Sequence, residues 1–180
     1  MNFIKTLLVT LAIYLGLNAV FALLAVYVGP LPDDDPLLII TLIFAPVYIW
    51  PYVTPDFAWI TGLTNMFKYE ALGLELTTVI FSFLGMILPS LLAVIIGGLL
   101  SDTSNGAFVS WFLTAQISGI VYMIIMVAAH ESSLYLNFFL WDTLIFLFGP
   151  NDLYFALIIS GIINGFFYGC ISYLVTRKKL

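Results

Sequence analysis

Asp142 stands inside an apolar run, 134–148, that contains no Lys, Arg or His. A charge at the membrane centre costs ~2.5–3.5 kcal/mol on insertion scales, and burial favours the neutral acid. The carboxyl is therefore expected to be protonated, hydrogen-bonded or wetted, and the chemistry open to it is that of a proton or cation site. The plainer alternative is a neutral carboxyl bonded to a neighbouring helix, or one wetted from the adjacent loop. Three amides, Asn18, Gln116 and Asn164, sit near the middle of three other apolar runs, so all four groups can share one depth. Amides between membrane helices couple by ~0.6 kcal/mol on average. Here they serve either as interhelical hydrogen bonds or as the wall of a substrate or ion pocket.

Other reactive constellations are missing. His130-Glu131 is followed by Ser132-Ser133-Leu134, so H-E-x-x-H fails, and G-x-S-x-G, S-x-x-K and the P-loop have no match. A single cysteine, Cys170, and a single histidine, His130, exclude an intramolecular disulfide and a multi-histidine metal or haem site. Asp33, Asp34 and Asp35 offer oxygen ligands of the kind a divalent cation takes, but three adjacent carboxylates on a solvated loop are ordinarily only that. No cofactor, no metal and no enzymatic activity are expected. The one basic cluster is Arg177, Lys178 and Lys179, too small for a nucleic-acid footprint.

The elements that must hold these groups follow from composition. Of 180 residues, 63% are hydrophobic and 8% charged, against ~45–50% and ~25% in soluble domains. Apolar runs fall at 3–28, 37–53, 74–100, 107–129, 134–148 and 153–176, separated by segments rich in Pro, Gly, Asn, Asp and Ser. Backbone polar groups in hydrocarbon must be satisfied within the segment, and no alternating ten-residue pattern suggests a barrel. The predicted fold is an all-α polytopic transmembrane bundle of about six spans, with residues 1–180 forming a single integral-membrane domain. The first run is too long for a cleavable signal peptide and reads as a retained span.

Two runs are weak. Pro46 and Pro51 interrupt 37–53, and 134–148 would extend only ~22 Å; if neither crosses, a four-span protein with the same end orientation remains and Lys68 moves outside. Between 54 and 73, Thr54 and Pro55 resemble a helix start, and Phe57, Ile60, Leu63 and Phe67 recur at helical spacing opposite Thr61, Asn65 and Lys68. This predicts a short interfacial amphipathic helix. Six crossings with the N-terminus inside put Lys5, Lys68 and the Arg177 cluster on the cytoplasmic side of a cell membrane, as the bias in Lys and Arg placement requires. Both termini are then cytoplasmic, and Asp33 to Asp35, Asp102 and Asp152 lie outside.

The last run carries Gly161, Gly165 and Gly169, one every four residues along a single helix face. Such a face lets another backbone approach closely, either within the bundle or on another subunit. Ala12 with Gly16, Ser110 with Thr114 and Ser118, Ala115 with Gly119, and Ala93 with Gly97 repeat the spacing in weaker form. Plentiful small-residue faces and no reactive constellation predict a non-catalytic integral membrane subunit of a larger assembly. Its partners are the lipid bilayer and other membrane subunits or a second copy. The alternative is a membrane-embedded carrier or substrate-binding transporter component using Asp142 and the three amides.

Overall fold

A computed structural model of the chain describes residues 1–28, 76–131, 158–159 and 161–178. Their secondary structure is entirely α-helical: α1 is Phe3–Val28, α2 Leu76–Leu100, α3 Ser104–Glu131, and α4 covers 161–178. The run 37–53, the helix expected over 54–73 and the run 134–148 with Asp142 lie outside the described residues, as do the loops carrying Asp33 to Asp35 and Asp152.

Local chemistry sets the helix starts. Asn2 caps α1, its Oδ1 accepting the Lys5 backbone N–H at 3.1 Å, which satisfies one of the four orphan donors of a helix N-terminus. Thr103 does the same for α3, accepting the Gly106 N–H at 3.1 Å. The tight turn between α2 and α3 is held by the Ser101 hydroxyl, which donates to the Thr103 carbonyl at 2.9 Å.

Contacts along the helices give their directions. The Met1 amino group bonds the Leu100 carbonyl at 2.9 Å and pairs with the Asp102 carboxylate, while the Asp102 N–H donates to the Met1 carbonyl at 3.2 Å. Higher up, a Cβ at Gly97 would run into the Thr10 hydroxyl, and one at Gly85 would meet the Phe21 ring at 3.2 Å. Helices α1 and α2 are therefore antiparallel. On α4, Cβ atoms at Gly169, Gly165 and Gly161 would meet Phe108, Phe112 and Gln116 of α3 in that order, so α3 and α4 are antiparallel too. The Thr176 hydroxyl reaches the Gly98 carbonyl at 2.8 Å. Met1, the 101–103 turn and the C-terminal end of α4 thus gather at one end of the bundle, and Val28, Leu76, Glu131 and Gly161 point to the other.

This corrects the sequence-based topology, which separated Asp102 from Met1 by a full crossing. That assignment assumed one crossing for each of the weak runs 37–53 and 134–148. The helices instead require the chain to leave α1 and enter α2 at the same end, and likewise from α3 to α4. Six crossing helices are not seen among the described residues either. Two stretches, Phe3–Phe21 and Phe83–Leu100, are long and apolar enough to cross a membrane. Helix α3 carries Ser110, Thr114, Gln116 and Ser118 within its length, and α4 ends in Arg177 and Lys178.

Candidate functional site

The bundle buries its polar side chains and exposes its apolar ones. Helix α1 turns Thr6, Thr10, Tyr14 and Asn18 inward, while Ile4, Leu8, Val20 and Leu24 are exposed. On α3 the buried row is Ser110, Thr114, Ser118 and Tyr122; on α4 it is Asn164, Tyr168, Ser172 and Thr176. Each row advances by four residues, close enough to the helical repeat that one face carries all four side chains. The rows are written in the sequence as hydroxyl, phenol and amide residues at i, i+4, i+8 and i+12. They are hard to see there because mostly apolar residues fill the positions between them.

Much of this polarity is satisfied locally. Thr10 donates to the Thr6 carbonyl at 2.8 Å, Thr114 to Ser110 at 2.9 Å, and Thr176 stands 3.0 Å from Ser172 as well as against Gly98. A hydroxyl bonded to its own helix presents little more than a methyl-sized surface to its neighbour. That is how Ser and Thr support close helix packing.

Trp111 is the hub. It is fully buried, with the rings of Tyr14 and Tyr168 edge-on to it at 5.4 and 5.7 Å. Its indole N–H donates to the Asn164 carbonyl at 3.2 Å. Nothing in the sequence analysis singled it out, although a lone Trp near the start of an apolar run, beside Ser110 and a turn before Thr114, is an available signal, since an indole N–H buried in a membrane needs an acceptor.

The predicted site residues take these places. Asn164 is buried on α4 beside Trp111, and Asn18 is buried on α1 one turn beyond Tyr14. Gln116 is half-buried on α3, its amide lying where a Cβ at Gly161 would come within 3.2 Å. Counted from the Met1 end at about 1.5 Å per residue, the three amides stand roughly 17–26 Å up the bundle. Gln116 and Asn164 share the α3–α4 interface, and Asn18 approaches the same level from α1. Asp142 lies outside the described residues.

Polar atoms without a hydrogen-bond partner among the described residues are the Ser90 and Ser110 hydroxyls, the Gln116 amide nitrogen and the Tyr122 hydroxyl. Lys5, Asp102, Arg177 and Lys178 stand at or beside helix ends. Within the described residues no three His, Cys, Asp or Glu side chains cluster as metal ligands. Among the described residues, the middle of the bundle can exchange hydrogen bonds with a neutral group, and no nucleophile is paired there with a base.

The Gly161, Gly165 and Gly169 face is filled from within by the α3 row Phe108, Phe112 and Gln116. A second small-residue face behaves differently. Ala12 and Gly16 are exposed on the outer row of α1, and no described atom comes within 4 Å of a Cβ placed on Gly16. Comparison of the chain with known protein families, with curated proteins and with solved structures finds no match.

Proposed function

We propose that the chain is a non-catalytic, multi-pass integral membrane subunit of a larger membrane assembly. The observation that carries this is the inverted burial: hydroxyl and amide rows face inward, and Ile, Leu, Val and Phe cover the outside of all four helices. A protein in water would expose the opposite set, because apolar area is what water drives inside. Lys5, Arg177 and Lys178 stand at the same end of the bundle, so the bias of Lys and Arg toward the inner face sets both termini in the cytoplasm.

Partner binding is assigned to the outer face of α1. The row Ile4, Leu8, Ala12, Gly16, Val20 and Leu24 dips at its centre, where two small residues leave a seat for another helix. Lipid tails are as apolar as a partner helix, so association depends on such close-packed seats. Gly16→Leu is expected to leave the thermal stability of the isolated chain unchanged while releasing the subunit, or second copy, that copurifies in mild detergent. Retention of the same partner by Gly16→Leu would remove the seat from the proposal, and a water-soluble chain without detergent would overturn the membrane reading itself.

The placing of Asn18, Gln116 and Asn164 within roughly 9 Å of one another in height favours a second reading, a carrier or substrate-binding component in which Asp142 supplies the titratable group. Asp142→Asn keeps the hydrogen-bonding shape and removes the proton. In proteoliposomes this variant should fold and insert as the parent does and lose any ion-coupled uptake. Uptake that survives Asp142→Asn would dismiss the carboxyl as the coupling site.

A further inference from the structure

The end of the bundle where Met1, the 101–103 turn and the close of α4 meet carries an excess of positive charge. Asp102 is the one acid there among the described residues, and the Met1 ammonium pairs with its carboxylate. Those two charges cancel. Lys5 on α1 and Arg177 and Lys178 on α4 are left over, all three exposed and none in an ion pair among the described residues. Packing brings them to one level, because Thr10 faces Gly97 and Thr176 bonds Gly98, so that α1 and α4 lie against successive residues of α2. Lys5 stands five residues beyond Thr10 toward this end, and Arg177 one residue beyond Thr176. At about 1.5 Å per residue their backbones come within roughly 5 Å of each other in height.

The helix surface beside each cation is apolar. Leu8, three residues from Lys5, is 59% exposed, and Leu174, three residues from Arg177, is 54% exposed. Residues three apart are neighbours on a helix surface, so on both α1 and α4 a cation at the end of the bundle continues into an exposed apolar strip. We infer that this end binds the phosphate headgroup of an anionic phospholipid between Lys5 and the Arg177–Lys178 pair, with the acyl chains lying along Leu8 and Leu174. The arginine fork can hold two phosphate oxygens while the lysines supply point charge. Lys179 follows in the sequence, and four basic residues at the end of a membrane helix bundle are enough to draw anionic lipid. A zwitterionic headgroup carries its own ammonium, which the cluster repels, and a soluble anion has nothing to lay along the apolar strips. The inference rests on the membrane reading and adds to it the chemistry of the lipid.

Thermal unfolding of the full-length chain in neutral detergent tests the site, with phosphatidylglycerol, phosphatidylcholine or inorganic phosphate added. Phosphatidylglycerol at roughly ten times its dissociation constant should raise Tm by about 3–6 °C, and phosphatidylcholine should raise it much less. The combined variant Lys5→Gln, Arg177→Gln, Lys178→Gln changes only exposed side chains, so it should unfold close to the parent without lipid and lose the preference for phosphatidylglycerol. Asp102→Asn tests the sign. It removes the paired negative charge and leaves the Met1 ammonium free, so the shift caused by phosphatidylglycerol should grow even where the lipid-free Tm falls. Equal shifts with both lipids, or a combined variant that keeps the preference, overturn the inference. The same rise with inorganic phosphate at matched charge also overturns it, in favour of a soluble anion. A chain that needs detergent yet shows no lipid preference rejects this site and keeps the membrane reading, whereas a chain soluble without detergent rejects both.

Discussion

A cysteine at Ser104 is expected to react with a membrane-impermeant reagent from the same side of the membrane as one at Lys178, in a Cys170→Ser background. The native Cys170 has to be removed because it is exposed on α4. The expectation rests on contacts that agree in direction. Thr176 meets Gly98, next to the 101–103 turn, and Cβ atoms at Gly169, Gly165 and Gly161 would meet Phe108, Phe112 and Gln116 in that order. A parallel arrangement of α3 and α4 would break all of these, so the outcome is all or none. With right-side-out vesicles both positions should be protected, and both should label when the vesicles are inverted. Opposite-sided labelling would restore the crossing count first drawn from the apolar runs and dismantle the packing of α4 on α2 and α3.

Those apolar runs located the described helices well. The helices fall on the runs 3–28, 74–100, 107–129 and 153–176, because continuous apolar stretches bounded by Gly, Pro, Asn and Asp have few other ways to satisfy their backbone. Counting crossings was harder. Orientation depends on whether two marginal runs, one with two prolines and one too short, each pass through once. The residues that settle the matter, Met1 against Asp102 and Thr10 against Gly97, are far apart in sequence. Of the basic residues, Lys5 and Arg177 belong to helix ends on the same end of the bundle, whereas Lys68 lies outside the described residues.

The site was less legible. Asn18, Gln116 and Asn164 stand out as isolated amides, and Ser110, Thr114 and Ser118 as a small-residue face, but the rows on α1 and α4 do not, since Ser and Thr in an apolar helix read as tolerated small residues. Their meaning lies in the period, Thr6-Thr10-Tyr14-Asn18 and its two counterparts, and in the outward rows of Ile, Leu and Val that complete the inversion. The sequence shows that Gly161, Gly165 and Gly169 share a face; that the opposing row is Phe108, Phe112 and Gln116 depends on the antiparallel register of α3 and α4.

Of the three glycines, Gly165 is the one where a side chain is expected to cost most. A Cβ there would stand 2.7 Å from Cδ2 of Phe112, well inside contact distance. The ring cannot swing clear easily, because it lies edge-on to Phe166 at 5.4 Å and stacks with Phe108 at 6.3 Å. At Gly169 the Cβ would meet the Phe108 ring at 2.9 Å, and at Gly161 it would meet the Gln116 amide at 3.2 Å. That amide is the mobile end of a flexible side chain and can give way. Overpacking costs ~1–3 kcal/mol, whereas replacing glycine by alanine in a helix gains ~0.8–1 kcal/mol from propensity. The alanine series should therefore run from a clear loss at Gly165, through a smaller loss at Gly169, to near neutrality at Gly161, with Gly16→Ala neutral or stabilising. Gly165→Leu should lose ~3 kcal/mol or more, lowering Tm by roughly 6–12 °C in a chain of this size. Thermal unfolding in detergent measures the series, and Phe112→Leu should recover part of the Gly165→Ala loss by withdrawing the ring atoms in the way. Equal effects at Gly16 and Gly165, or no recovery with Phe112→Leu, would mean that α3 does not fill the glycine face and that some other surface does.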